Sequence, residues 1–331
     1  MLISAVLRRV AAAVLLAGLA VPAWAAAKVD EIHVDFAYYN PVSLVLKEQG
    51  ILEDEFKKDG IAVRWVQSLG SNKALEFLNA KSLDFGSTAG AAALLARSNG
   101  NPIKAIYVYS RPEWTALVTR GDSPIHSIAD LAGKRIAVTR GTDPHIFLIR
   151  ALQTAGLTEK DVKLVLLQHP DGRTALIKGD VDAWAGLDPM MAQAELEEGA
   201  KLFFRNPDLN SFGVLNVREA FAAEHPDLVA RVLAAYEKAR HWAVAHPAEL
   251  RKIMSEQAKI SDAVAARQLE RTDLSDPVIG ARQQIVIEAA GKALQQAGVV
   301  PPEVDVTATT AQLIDPQFGR AISATTKSVC T

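Results

Sequence analysis

From Ile32 onward, short runs rich in β-branched and aromatic residues alternate with amphipathic stretches of helical period. That alternation is the pattern of βα units built into a mainly parallel sheet, so the fold class is α/β. The first series predicts strands over 32–37, 62–67, 83–86 and 103–109, with helices over 42–56, 72–80 and 89–99. After Arg111 and Pro112 a second series begins, with strands over 115–119, 135–138, 163–167 and 183–185 and helices over 144–155, 173–178 and from Pro189. Beyond about Phe212 the pattern changes to long helical stretches, including 226–245 and 263–269, which are expected to return and buttress the first unit. The expected organisation is therefore a first lobe over 27–112, a second over 113–211, and a return over 212–331.

The first 26 residues stand outside this pattern. Arg8 and Arg9 precede an apolar run from Val10 to Val21 that ends in Ala23-Trp24-Ala25, the small-x-small pattern of a cleavable export signal. The run is well short of the roughly 20 residues that cross a bilayer, and no cysteine follows it to carry a lipid. These features predict a freely diffusing periplasmic protein. Without the leader's two arginines the formal charge is −4, a balance that disfavours nucleic acid as a partner. Cys330 is the single cysteine and stands next to the C-terminus, so neither an internal disulfide nor a cysteine-rich metal site is expected.

In open α/β sheets, ligands bind beyond the carboxyl ends of strands, where helices begin. The expected strand-to-helix joints are Ser68-Leu69-Gly70-Ser71-Asn72, Gly86-Ser87-Thr88-Ala89-Gly90, Thr139-Arg140-Gly141-Thr142-Asp143-Pro144 and Gly186-Leu187-Asp188-Pro189. Each carries glycine and a capping residue, and capping alone accounts for any one of them. Four such joints in register would aim several positive helix ends into one cleft and suit a sulfonate, carboxylate, phosphate or nitrate. The candidate binding residues are Asn40, Ser71, Asn72, Ser87, Thr88, Arg140, Gly141, Thr142 and Asp188, with Trp114, Trp184, Tyr38 and Tyr39 as walls for an apolar tail. Arg140 is the sharpest of them, because a guanidinium places two donors on an oxyanion. Its alternative is a solvated surface arginine, and the alternative for each of the four aromatic residues is buried packing. The sequence holds no HExxH, GxSxG, Walker A or dinucleotide fingerprint. No base is spaced to activate Ser87, and no cofactor or metal is expected.

The run Gly133-Lys134-Arg135-Ile136-Ala137-Val138-Thr139-Arg140-Gly141-Thr142, followed by Phe147 to Leu152, resembles the aliphatic-sulfonate-binding proteins of ABC importers within the wider nitrate/sulfonate/taurine family. Asp171-Gly172-Arg173-Thr174-Ala175-Leu176, Gly179 to Trp184, Asp188-Pro189 and Leu83 to Thr88 carry the same likeness, which spans about 30–245. The resemblance implies a two-lobed periplasmic binding protein of type II that closes over a small organic anion and delivers it, as a monomer, to a membrane permease and its ATPase. It points to Ser87, Thr88, Gly141 and Thr142 as anion donors, joined by Arg140. Tyr38-Tyr39-Asn40-Pro41 replaces the Tyr-Gln-Lys of many sulfonate binders, Leu187 replaces a common Trp, and Gly70-Ser71-Asn72-Lys73 replaces a usual Gly-Pro. A different tail or anion is therefore open, including taurine, in which case Asp188 either faces the amine or only caps its helix. Two other readings remain: a binder of a thiamine-pyrimidine precursor, and a hydrolase on the same fold.

Overall fold

The computed structural model describes residues 28–318; the expected leader and Cys330 lie outside them. Among the described residues, eleven strands form two sheets. In chain order they are β1 (Glu31–Phe36), β2 (Ala62–Gln67), β3 (Phe85–Ala89), β4 (Ile103–Pro112), β5 (Thr115–Thr119), β6 (Arg135–Val138), β7 (Lys163–Leu166), β8 (Ala183–Leu187), β9 (Lys201–Phe204), β10 (Gly213–Arg218) and β11 (Thr272–Asp273). The first sheet runs β11-β4-β10-β3-β1-β2 and the second β7-β6-β8-β5-β9. Among the described residues the chain passes between them through two short stretches, Glu113-Trp114 between β4 and β5 and residues 205–212 between β9 and β10.

Each sheet is parallel on one side, where β1 pairs with β2 and β3, and β6 pairs with β7 and β8. The strand that enters each sheet from the other lobe runs the opposite way, β10 between β3 and β4 and β5 between β8 and β9. Helices cover both faces, which is why strand residues such as Val34, Phe85, Ile136 and Val138 are fully buried. The main core fills the first lobe and takes in residues from the returning helices, including Val229, Tyr236, Ile287 and Leu294. Two smaller clusters lie on the two faces of the second sheet.

Several expected elements are corrected. The single helix over 42–56 is two helices, Pro41–Glu48 and Ile51–Phe56, parted at Gly50. The third strand is shifted towards the C-terminus, so Ser87 and Thr88 are strand residues and not loop residues. The region after Phe212 is not all helical: it opens with β10, whose Asn216 amide donates to the Gly86 carbonyl at 3.2 Å and to Thr88 Oγ1 at 2.7 Å. The helix expected over 173–178 begins earlier, as His169–Lys178, with Pro170 in its first turn where a missing N–H costs nothing.

Candidate functional site

Three helix starts meet where the lobes face each other: Ser71–Asn79 from the first lobe, and Asp143–Thr154 and His169–Lys178 from the second. The approach is close. A Cβ built on Gly70 would lie 2.8 Å from Asn72 Oδ1 and 3.0 Å from His169 Nε2 of the opposite lobe. One built on Gly141 would lie 3.9 Å from the Asn72 Cβ. The first-turn N–H groups of a helix lack internal partners and carry the positive end of its dipole, so this junction favours negative charge.

His169 is fully buried. Thr139 Oγ1 gives its proton to the Leu167 carbonyl at 2.7 Å, so at its 3.2 Å contact with His169 Nδ1 the threonine can only accept. Nδ1 therefore carries the proton and Nε2 is a bare acceptor, with no partner among the described residues. Burial lowers the imidazole pKa to about 3, so the ring is neutral.

At the floor of the first lobe, Asp35 accepts from Ser87 N at 2.9 Å and Ser87 Oγ at 2.8 Å, while Asn40 Nδ2 donates to Ser87 Oγ at 2.8 Å. Tyr39 Oη donates to the Ser87 carbonyl at 2.9 Å. Burial pushes the Asp35 carboxyl up to about 6 against the opposing pull of the Ser87 donors. Asn40 also caps its helix, accepting from Ser43 N at 3.2 Å. Ser71 Oγ accepts from Ala89 N at 3.0 Å, so the hydroxyls at 71, 87 and 88 all accept bonds from within the lobe.

The hinge is organised by Asp143. Its carboxylate accepts from Trp114 Nε1 at 2.7 Å on one connection, and from Ser211 N at 3.0 Å and Ser211 Oγ at 2.7 Å on the other. Ser211 Oγ in turn accepts from Ala91 N at 3.1 Å, in the first turn of helix Gly90–Ser98. A fork between Arg205 and Glu113, at 2.8 and 2.7 Å, ties the two connections again. Trp114 is buried against Tyr39 and Tyr109.

The other expected residues take distinct places. Thr142 Oγ1 donates to the Thr139 carbonyl at 2.6 Å, closing the turn that holds Gly141. Arg140 is exposed and has no hydrogen bond among the described residues. Its charge helps hold the Glu159 carboxyl low, after the larger effect of the His145 hydrogen bond. Trp184 is fully buried in the second lobe's core with Leu176, Val181 and Met191, which places it away from the cleft wall. Asp188 accepts from Ala192 N at 2.9 Å and pairs with Arg271 at 3.3 Å, so it both caps a helix and carries a buried counterion.

A cavity of about 250 Å³ opens between the lobes. Tyr38, Tyr39, Ser68 and Leu69 line it from the first lobe, and Arg173, Met190 and Gln193 from the second. Of these, Tyr38 and Tyr39 were expected from sequence as walls for an apolar tail, whereas Arg173, Ser68 and Gln193 are absent from the residues singled out as binders by sequence. Arg173 was legible only as part of the Asp171-to-Leu176 motif, since its position in a helix starting at His169 decides where it faces.

The chain is 30% identical over 249 residues to the Bacillus subtilis "Putative aliphatic sulfonates-binding protein", covering 73% of this chain and 75% of that one. It is 31% identical over 201 residues to the Escherichia coli protein of the same name, covering 60% and 62%. The alkanesulfonate-binding protein SsuA from Xanthomonas axonopodis pv. citri, solved bound to MOPS, superposes with a TM-score of 0.79 at 24% identity over 86% of this chain and 99% of that one, which establishes the shared two-lobed fold. The family model described as NMT1/THI5 like matches residues 54–250, and the chain belongs to that family.

Proposed function

We propose that this protein is the exported, periplasmic substrate-binding component of an ABC importer. It captures an aliphatic sulfonate or a similar small organic anion by lobe closure and passes it to the permease and its ATPase. The observation that carries this reading is the junction of three helix starts across two lobes that two short connections join. Such a junction offers backbone donors and dipole ends to an oxyanion, and the two connections can act as a hinge. The names of the Bacillus and Escherichia relatives support the sulfonate as the anion. In this reading Ser71, Asn72, Gly141 and Thr142 surround the anion, with Arg140 as the cation that swings in from the rim. Asn40, Ser87 and Thr88 hold the floor, Trp114 closes the back, and Tyr38, Tyr39 and Arg173 face the organic tail.

The test is a thermal-shift panel on the mature protein with alkanesulfonates, taurine, sulfate, nitrate, short dicarboxylates and a thiamine-pyrimidine precursor. A ligand that binds only the folded state raises its melting temperature, by about 2.7 kcal/mol of stability at a hundredfold excess over Kd. Stabilisation by sulfonates is the expected result. Stabilisation by the heterocycle alone would overturn the anion and keep the fold.

A further inference from the structure

We propose that the segment 261–271 is a strap between the lobes and that Arg271 is its positioning residue, holding the second lobe's cleft wall against the first lobe. On one side the strap belongs to the first lobe and the hinge. The Arg271 carbonyl accepts the Glu113 N–H at 2.7 Å, and β11, which follows at once, pairs with β4. Gln268 Nε2 donates to the Tyr38 carbonyl at 2.7 Å, at the rim of the cleft. On the other side two arginines and a serine of the strap reach the second lobe. Arg271 Nη1 meets both Asp188 oxygens, at 3.3 and 3.4 Å, and Nη2 meets Glu195. Arg267 Nη1 binds the second Glu195 oxygen at 2.8 Å, and Ser261 Oγ donates to Glu197 at 2.7 Å.

These partners bracket one element. Asp188 stands two residues ahead of Met190, the start of the helix Met190–Glu197, and caps it through Ala192 N, while Glu195 and Glu197 stand in its last turn. The same helix gives Met190 and Gln193 to the cleft cavity, and Ala258 and Ile260, just before the strap, line that cavity too. The Arg271 side chain is only 5% exposed and that of Asp188 only 1%. Opening the lobes breaks the Arg271 contacts with Asp188 and Glu195, so the second lobe can swing away only by giving up these hydrogen bonds to charged groups. The strap therefore biases the pair of lobes towards closure and slows ligand release. This inference rests on the lobe-closure reading above but not on the identity of the anion.

Two variants of the full mature chain test it. Glu195→Gln weakens both arginine contacts at a partly exposed site, and Arg271→Lys keeps the charge but loses the fork that spans Asp188 and Glu195. Small-angle scattering without ligand reads the lobe angle directly, and stopped-flow release of ethanesulfonate reads residence. A larger radius of gyration in both variants and release faster by about fivefold or more are expected, with an unchanged urea midpoint for Glu195→Gln. Scattering profiles for both variants that superpose on the wild type would overturn the strap. If ethanesulfonate does not bind the wild type, the sulfonate reading fails while the scattering still decides the strap.

Discussion

Replacing Gly70 with alanine adds one methyl group at the narrowest point between the lobes. The methyl would stand 2.8 Å from Asn72 Oδ1, 3.0 Å from His169 Nε2 and 3.1 Å from His169 Cδ2. Asn72 is a short side chain on the same loop and can turn aside, but the His169 ring is buried and held through Nδ1 by Thr139. Gly70 has φ 167, extended backbone open to any residue, so alanine brings no backbone strain of its own. The overlap falls only on the closed arrangement, because His169 belongs to the opposite lobe. Overpacking of this kind costs about 1–3 kcal/mol. Charged to the closed form alone, that weakens ligand binding by about 5- to 150-fold. Isothermal calorimetry on Gly70→Ala with ethanesulfonate measures the loss. The double variant with His169→Ala removes the obstructing ring and should recover much of the affinity. Wild-type affinity in Gly70→Ala, or an equal loss in the double variant, would refute the argument that this contact forms on closure.

Further expectations concern the hinge, the rim and the response to pH. Asp143→Ala strips the acceptor from Trp114 and from both Ser211 donors and should lower stability by about 2–4 kcal/mol in urea unfolding, since orphaned buried donors cost about 1–3 kcal/mol each and can partly relax. Arg140→Ala should weaken an anionic ligand by about tenfold in calorimetry, the worth of one charge-assisted contact, with the melting temperature unchanged; unaltered affinity for every anion would remove Arg140 from the site. His169 has a folded pKa of about 3 against 6.5, so the unfolded chain takes up the proton first and stability is lost as pH falls from 6.5 towards 3. Urea unfolding of His169→Gln across that window should show the variant losing less than the wild type. Asp35 works in the opposite direction: its folded pKa of about 6 lies above 3.8, so its favourable contribution is full below 3.8 and is lost as pH rises through 6. Asp35→Asn should therefore gain most over the wild type above pH 6 in the same assay.

What the sequence disclosed depended on whether a local pattern decided the outcome. The edges of β5 and β6 and of the helix Pro226–Ala245 follow from apolar periodicity, proline at a helix start and glycine or a charge at the end, and all were legible. β10 was not, because Gly213-Val-Leu-Asn-Val-Arg is short, carries a polar Asn216 at its centre and becomes a strand by pairing on both sides with β3 and β4. The same long-range pairing drew Ser87 and Thr88 into β3. Within the site, Asn72, Gly141 and Thr142 could be named because capping chemistry marks helix starts. Gln168 gave no such mark, so the helix expected over 173–178 was started about one turn late and His169 was left outside it. Asp188 was visible but ambiguous, since its partner Arg271 lies 83 residues further on. Trp184 shows the opposite hazard: a tryptophan beside a glycine-rich joint invites a binding role, and its burial in the second lobe's core is decided by packing that no spacing records.

The central claim is capture of a small organic anion between the lobes. The most direct measurement is a calorimetric titration of the purified mature protein with ethanesulfonate, followed by scattering of the saturated complex. The account predicts one saturable site per chain and a profile at least as compact as that of the free protein. No heat with any sulfonate, together with saturable heat from a neutral heterocycle, would contradict it.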